Sequence, residues 1–113
     1  MKLVIAYIQP DRLHHVKQAL SEVGVNRMSV TNSLGAGQYG GFTETYRGAE
    51  FEVRLLKKVR FEIAVNDDYL ERTKEAIIAG ARTGNFGDGV IFVLELGDCY
   101  RIRTGEQGSP AVG

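Results

Sequence analysis

The chain has 113 residues, with 14 Lys plus Arg balanced against 14 Asp plus Glu. That length suits one domain burying roughly 60 to 70% of its unfolded surface, and the balanced charge supplies no global field for nucleic acid or an anionic membrane. A single cysteine, Cys99, excludes an internal disulfide, fits a reducing cytosol and reads as a small, partly buried strand residue. No apolar run has the length and flanks of a signal peptide or membrane span, so a cytoplasmic protein is expected.

Residues Lys2 to Gln9 form an apolar run rich in Val, Ile and Tyr, suited to a strand buried on both faces and stopped by Pro10. Leu13, Val16, Ala19, Leu20 and Val23 recur at helical steps, with Pro10 suited to a first turn and Gly24 to a helix stop. From Val25 to Leu34, the residues Met28, Val30 and Leu34 alternate with Ser29, Thr31 and Ser33, the pattern of a half-buried second strand. Val59, Phe61, Ile63 and Val65 alternate with Arg60, Glu62 and Ala64 in the clearest strand signal of the chain. Leu70, Thr73, Ala76, Ile77 and Gly80 mark the inner stripe of a second helix, capped from Asn66, Asp67 or Asp68 and closed by Gly84. A fourth strand is expected over Val90 to Leu96 and a short fifth over Tyr100 to Arg103, before a flexible tail at residues 107–113.

Strand, helix, strand, loop, strand, helix, strand is a split βαβ unit used twice, so the fold class is α+β, ferredoxin-like βαββαβ. Two helices cover one face of such a sheet. The surplus of Ile, Val and Phe at alternating positions points to self-association across the other.

Between the second and third strands lies Gly35 to Lys57, GAGQYGGFTETYRGAEFEVRLLK. Gly35, Gly37, Gly40 and Gly41 loosen the backbone, and Glu44, Arg47, Glu50, Glu52 and Arg54 leave no clean apolar face, so little regular packed structure is expected. A connection this long inside a compact domain is either a loop that docks on a partner or closes over a ligand, or a floppy hairpin tip.

A second glycine cluster, Thr83-Gly84-Asn85-Phe86-Gly87-Asp88-Gly89, could cradle phosphate on backbone N–H groups at Gly87 and Gly89, or simply end a helix. Arg101 and Arg103, two apart on the expected strand, project from one face as paired forks suited to a polyphosphate, a carboxylate partner being the mundane alternative. Lys57 and Lys58 add positive charge at the loop base. No P-loop lysine signature and no nucleophile with a base is readable, and His14 and His15, about 100° apart on a helix, cannot clamp one metal. No enzyme is expected. RNA-recognition domains share the βαββαβ order, but Arg60-Phe61-Glu62 lacks their run of stacking aromatics.

The nonapeptide Thr43-Glu44-Thr45-Tyr46-Arg47-Gly48-Ala49-Glu50-Phe51 resembles the T-loop of the PII nitrogen-regulatory signal proteins. Gly35-Ala36-Gly37, Lys58, Glu62, Thr83-Gly84, Gly87-Asp88-Gly89, Ile91-Phe92-Val93 and Arg101-Ile102-Arg103-Thr104-Gly105-Glu106 follow in that family's order and spacing. The resemblance therefore spans residues 1–106 as a single domain, with the T-loop at about residues 37–55. It implies a homotrimer that binds ATP or ADP in clefts between subunits and acts in signal transduction and nitrogen regulation, its T-loop docking on a transporter or an enzyme. The nucleotide-binding positions it implies are Ser29, Gly35, Gly37, Gln38, Lys58, Glu62, Ala64, Gly87, Asp88, Gly89, Arg101 and Arg103. In each cleft the loop base and the Gly87 to Gly89 turn of one chain would face Arg101 and Arg103 of the next. The implied partner-binding positions are Thr43, Glu44, Tyr46, Arg47, Gly48, Glu50 and Phe51.

Four departures from the resemblance carry chemistry. The glutamine with which the family chelates Mg²⁺ and admits 2-oxoglutarate falls at Tyr39, with Gln38 beside it, so neither ligand is carried over. The lysine after Gly-Asp-Gly is Val90, which removes one phosphate-binding cation. The tyrosine uridylylated in some members is Phe51 and the serine phosphorylated in others is Ala49, so neither modification has a hydroxyl to use. This pattern resembles a divergent branch associated with heavy-metal efflux systems. A trimeric interaction or metal-responsive module with little nucleotide dependence is the alternative reading.

Overall fold

The computed structural model describes the backbone of residues 1–36, 42–46, 49–53 and 55–113, and the side chains of residues 1–35 and 55–113. Strand β1 (Lys2–Ile8) leads through a 3-10 turn at Pro10–Arg12 into helix α1 (Leu13–Glu22). Proline's fixed φ and missing N–H are tolerated at such a start. Gly24, at φ 83°, stops the helix with its N–H on the Ser21 carbonyl at 3.0 Å. Strand β2 (Ser29–Ala36) follows, then the short strands β3 (Phe42–Tyr46) and β4 (Ala49–Val53), and the long strand β5 (Leu55–Val65). A 3-10 turn at Asp67–Tyr69 opens helix α2 (Leu70–Ala81), which returns to strand β6 (Gly89–Glu95) and a last short helix α3 (Ser109–Val112).

Four strands make one antiparallel sheet in the order β2-β5-β1-β6. β5 is slotted between β1 and β2, and β1 between β5 and β6, which is the ferredoxin-like arrangement expected from the element order. Val4, Ala6 and Ile8 of β1 and Val59, Phe61, Ile63 and Val65 of β5 point under the helices, where they meet Val16 and Leu20 of α1 and Ala76 and Ile77 of α2. A period of two on the strands and 3.6 on the helices thus converges on one core. Neither α1 nor α2 lies over the other sheet face, where Ala111 and Val112 of α3 share a recess with Leu3, Glu62 and Ala64. On that face Val90, Phe92 and Leu94 of β6 stand about half exposed, and Phe92 meets Tyr7 edge to face at 6.4 Å.

The two long helices approach closely at Gly80, where a Cβ would lie 2.8 Å from the Val16 Cα. The Gly80 carbonyl also accepts Arg12 Nε at 2.9 Å, so the C-terminal turn of α2 is tied to the start of α1. Thr73, fully buried on α2, is satisfied by donating its hydroxyl to the Tyr69 carbonyl at 2.7 Å.

Several expectations are corrected. Strand β2 begins at Ser29 rather than Val25, because Val25 turns into the core directly after the helix stop. The stretch expected to lack regular structure holds a two-stranded antiparallel ladder, β3 with β4, in the register Phe42↔Val53 to Tyr46↔Ala49. Strand-favouring Phe, Thr, Tyr and Val outweigh the missing apolar face there. No strand forms over Tyr100 to Arg103: Tyr100 makes one isolated bridge to Gln107, and the chain turns back through Arg101 to Thr104. Gly105, at φ 75°, permits the reversal, which Gly105 N–H and the Arg101 carbonyl close at 2.8 Å. The tail forms α3, with Ala111 only 3% exposed, and Asn66 Nδ2 donates to the Ser109 carbonyl at 3.2 Å.

Because the three atoms nearest the Gly80 Cβ position are all backbone atoms of α1, Gly80→Ala is expected to push α1 from α2 and cost about 1 to 3 kcal/mol of stability. Urea unfolding of the variant beside the wild type measures it.

Candidate functional site

The turn between α2 and β6 is built by its own side chains. Asp88 Oδ2 accepts the N–H of Thr83 at 2.8 Å and of Gly84 at 2.9 Å, and Asp88 Oδ1 accepts the Thr83 hydroxyl. The Thr83 hydroxyl, then the Thr83 N–H, hold the Asp88 carboxyl below the usual carboxylate range against the opposing effect of desolvation, with lesser help from the Gly84 N–H and the charge of Arg12. The turn is pinned to the sheet at its far end. The Gly87 carbonyl accepts both Lys58 Nζ at 2.9 Å and Gln9 Nε2 at 2.7 Å. Gly89, at φ 115°, passes so near the Tyr7 carbonyl oxygen that a Cβ would be 1.8 Å from it. Gly35 serves the same end of the sheet: a Cβ there would sit 3.4 Å from Lys58 Cγ, so the lysine stem runs over it.

A second group lies farther along β5. Ser29 and Glu62 are register partners across β2 and β5, and Ala64 is two residues on, all on the face away from the helices. Glu62 is ion-paired with Arg60 at 2.6 Å, and that contact, with help from Tyr7, raises the Arg60 pKa. Ser29, Glu62 and Ala64 share a recess of about 540 Å³ with Arg101, Cys99 and the tail residue Val112. Arg103 and Thr104 line an adjoining recess that also contains Arg101.

The loop carrying both arginines is held shut from within. Arg101 N–H donates to the Glu106 carbonyl and Gly108 N–H to the Cys99 carbonyl, each at 2.8 Å. Asp98 gathers Cys99 N–H at 2.8 Å, the Tyr100 hydroxyl at 3.0 Å and Gln107 Nε2 at 2.8 Å. Gln107 first, then Cys99 N–H, lower the Asp98 pKa, while Asp98 raises that of Tyr100. Arg101 and Arg103 are therefore neighbours in a tight turn rather than on one face of a strand.

The residues singled out in the sequence thus fall into two clusters on one sheet face. Gly35, Lys58, Gly87, Asp88 and Gly89 gather at one end; Ser29, Glu62, Ala64 and Arg101 gather at the other, with Arg103 beside them. Lys58 and Glu62, four residues apart on β5, put about 13 Å between the clusters. Asp88 faces into its own turn and shapes it. Gly37, Gln38, Arg47 and Gly48 lie outside the described residues, as does Tyr39; Thr43, Glu44, Tyr46, Glu50 and Phe51 are on the β3–β4 ladder, where the backbone alone is described. His14 and His15 are exposed on α1. Gln9 escapes sequence reasoning because its partner, Gly87, is 78 positions away and no local pattern links them. Cys99, expected as an ordinary strand residue, instead lines the recess.

Fold and clusters together define a ferredoxin-like subunit whose open sheet face carries a glycine turn with a lysine at one end and an arginine loop at the other. The family model described as nitrogen regulatory protein P-II matches residues 1–106. The chain is 47% identical over 112 residues to a nitrogen regulatory protein P-II of Azospirillum brasilense, covering 99% of this chain and 100% of that protein. It is 46% identical to nitrogen regulatory protein P-II 1 of Escherichia coli strain K12 over the same shares, and 44% identical to nitrogen regulatory protein P-II 2 of Methanothermobacter thermautotrophicus over 99% and 97%. The chain belongs to the P-II nitrogen regulatory protein family.

The Asp88 clamp has a pH signature. A carboxylate held below its unfolded value stabilises the turn fully above about pH 4 and ceases to do so as the pH falls through its folded value. The Thr83 and Gly84 amides are therefore expected to keep their exchange protection from neutral pH down to about 4 and to lose it in stronger acid. Asp88→Ala should lose it already at neutral pH; amide exchange by NMR, corrected for intrinsic rates, reads both.

Proposed function

We propose that this chain is a non-enzymatic signal-transduction subunit that binds ATP or ADP in clefts between copies of itself in a homotrimer. In this reading it regulates a partner protein, a transporter or an enzyme, through the segment at residues 37–55. The observation that carries the reading is the division of the candidate residues into two clusters about 13 Å apart along β5. A turn with Lys58, Gly87 and Gly89 offers phosphate donors without walls for a nucleoside. A recess with Ser29, Glu62, Ala64 and Arg101 offers walls and a guanidinium without that turn.

Copies of the chain meeting across their open sheet faces would set the turn of one against the arginine loop of the next. The half-exposed Val90, Phe92 and Leu94 favour such association. Within a cleft, the N–H groups around Gly87 and Gly89 would take phosphate oxygens, and Lys58 would exchange the Gly87 carbonyl for phosphate. Arg101 and Arg103 would close from the neighbour, and Ser29, Glu62 and Ala64 would face the nucleoside. The relatives' names as nitrogen regulatory proteins support a regulatory role in nitrogen metabolism. Mg²⁺ and 2-oxoglutarate stand outside the reading, since Tyr39 occupies the chelating position.

Calorimetric titration with ATP and ADP, with and without Mg²⁺ and 2-oxoglutarate, tests this directly. Arg103→Ala is expected to weaken nucleotide binding by about 1.5 to 3 kcal/mol, the usual worth of a charged hydrogen bond; unchanged affinity would remove Arg103 from the site. Since Cys99 lines the recess, saturating ATP is also expected to slow its alkylation. A trimer that engages a partner yet binds neither ATP, ADP nor AMP would establish the interaction-module reading instead.

A further inference from the structure

Arg27 stands in the irregular stretch between α1 and β2 and belongs to no motif. It nevertheless lines the recess that holds Ser29, Glu62 and Arg101, and the adjoining one that holds Arg103. Its guanidinium and that of Arg101 both approach Gly113. Arg27 Nη1 and Arg101 Nη2 lie 2.8 and 3.6 Å from a single point, the position a Cβ on Gly113 would take. Two cations gathered beside one residue make its surroundings favourable for an anion. Among the described residues neither guanidinium has a carboxylate at ion-pair distance or an acceptor at hydrogen-bond distance. Three cations elsewhere are neutralised by carboxylates: Arg60 by Glu62 and Lys2 by Glu95, each at 2.6 Å, and Lys74 by Glu71 at 2.9 Å. Planar forks brought side by side fit the oxygens of a phosphate chain, which accepts several charge-assisted hydrogen bonds at once.

We propose that Arg27 is an anion-binding residue of the nucleotide site, which sets a guanidinium beside Arg101 on the phosphate chain of a nucleoside di- or triphosphate. The inference rests on the nucleotide reading above and adds to it a residue that reading does not contain.

Titration of the full chain with ATP, ADP and adenosine separates the two. If the wild type binds neither ATP nor ADP, the nucleotide reading falls and takes the Arg27 assignment with it. Where the wild type does bind, Arg27→Gln is expected to weaken ATP roughly tenfold or more while adenosine changes less than about twofold, and to flatten the salt dependence of ATP affinity. Unchanged ATP affinity in that variant overturns the proposal. So does a loss as large for adenosine as for ATP, because that marks a change in the shape of the recess rather than a lost phosphate contact. If Arg27→Gln proves unstable in thermal melting, the ratio of ATP to adenosine affinity in Arg27→Lys decides: a lower ratio than in the wild type supports the fork contact, and an unchanged one overturns it.

Discussion

A side chain at position 89 would stand 1.8 Å from the carbonyl oxygen of Tyr7, and the geometry of the turn depends on the backbone approach that glycine allows there. Because β6 can start hard against β1, with Gly89 opposite Ile8, the turn before it is drawn down onto the end of the sheet. That descent brings the Gly87 carbonyl within reach of Gln9, just past β1, and of Lys58 on β5. A displaced β6 would release these contacts together and also uncover one side of β1, the strand that carries Val4, Ala6 and Ile8 into the core.

The polar groups near the two clusters divide by what they already hold. Lys58, Asp88 and Glu62 each have an internal partner: a carbonyl, a set of N–H and hydroxyl donors, and a guanidinium respectively. Contacts made within the chain in this way hold the turn and β5 in one shape, and because each is at least partly exposed, water or a ligand can take a partner's place. Arg27 and Arg101 have no such partner among the described residues, so their interaction energy is available to whatever reaches the recess. The Asp98 cluster links the two kinds of group: a carboxylate engaged by Cys99, Tyr100 and Gln107 holds shut the loop that presents Arg101.

Legibility in the sequence followed periodicity. Val16 and Leu20, and Val59, Phe61 and Ile63, were readable because the repeat of their element coincides with burial in one core. The reversal at Arg101 to Thr104 was not, because Arg101 and Arg103 alternate like strand residues while the Asp98 contacts that close the loop have no period. The β3–β4 ladder is illegible for a related reason: it satisfies backbone groups by pairing and needs no apolar stripe to do so. The α3 turn depends on one small side chain, Ala111, finding cover, which composition cannot register. The glycine cluster and the loop-base cations single out the Gly87 to Gly89 turn and Lys58, yet the contact between them, 29 positions apart, emerges only in three dimensions. Arg27 and Gln9 belong to no pattern, and folding alone gives them neighbours.

The ladder between β2 and β5 runs as far as Ala36 opposite Leu55. Residues 37–54 therefore leave and re-enter the sheet at points held one strand spacing apart, about 4.8 Å. In polymer terms the segment is a ring rather than a tail, and the entropy of bringing its ends together is lost on folding, before any partner arrives. A load applied to the β3–β4 ladder would therefore reach the sheet through both of its inner neighbours, β2 and β5. On the β5 side such a load would enter at Leu55, three residues from Lys58 on the same continuous strand.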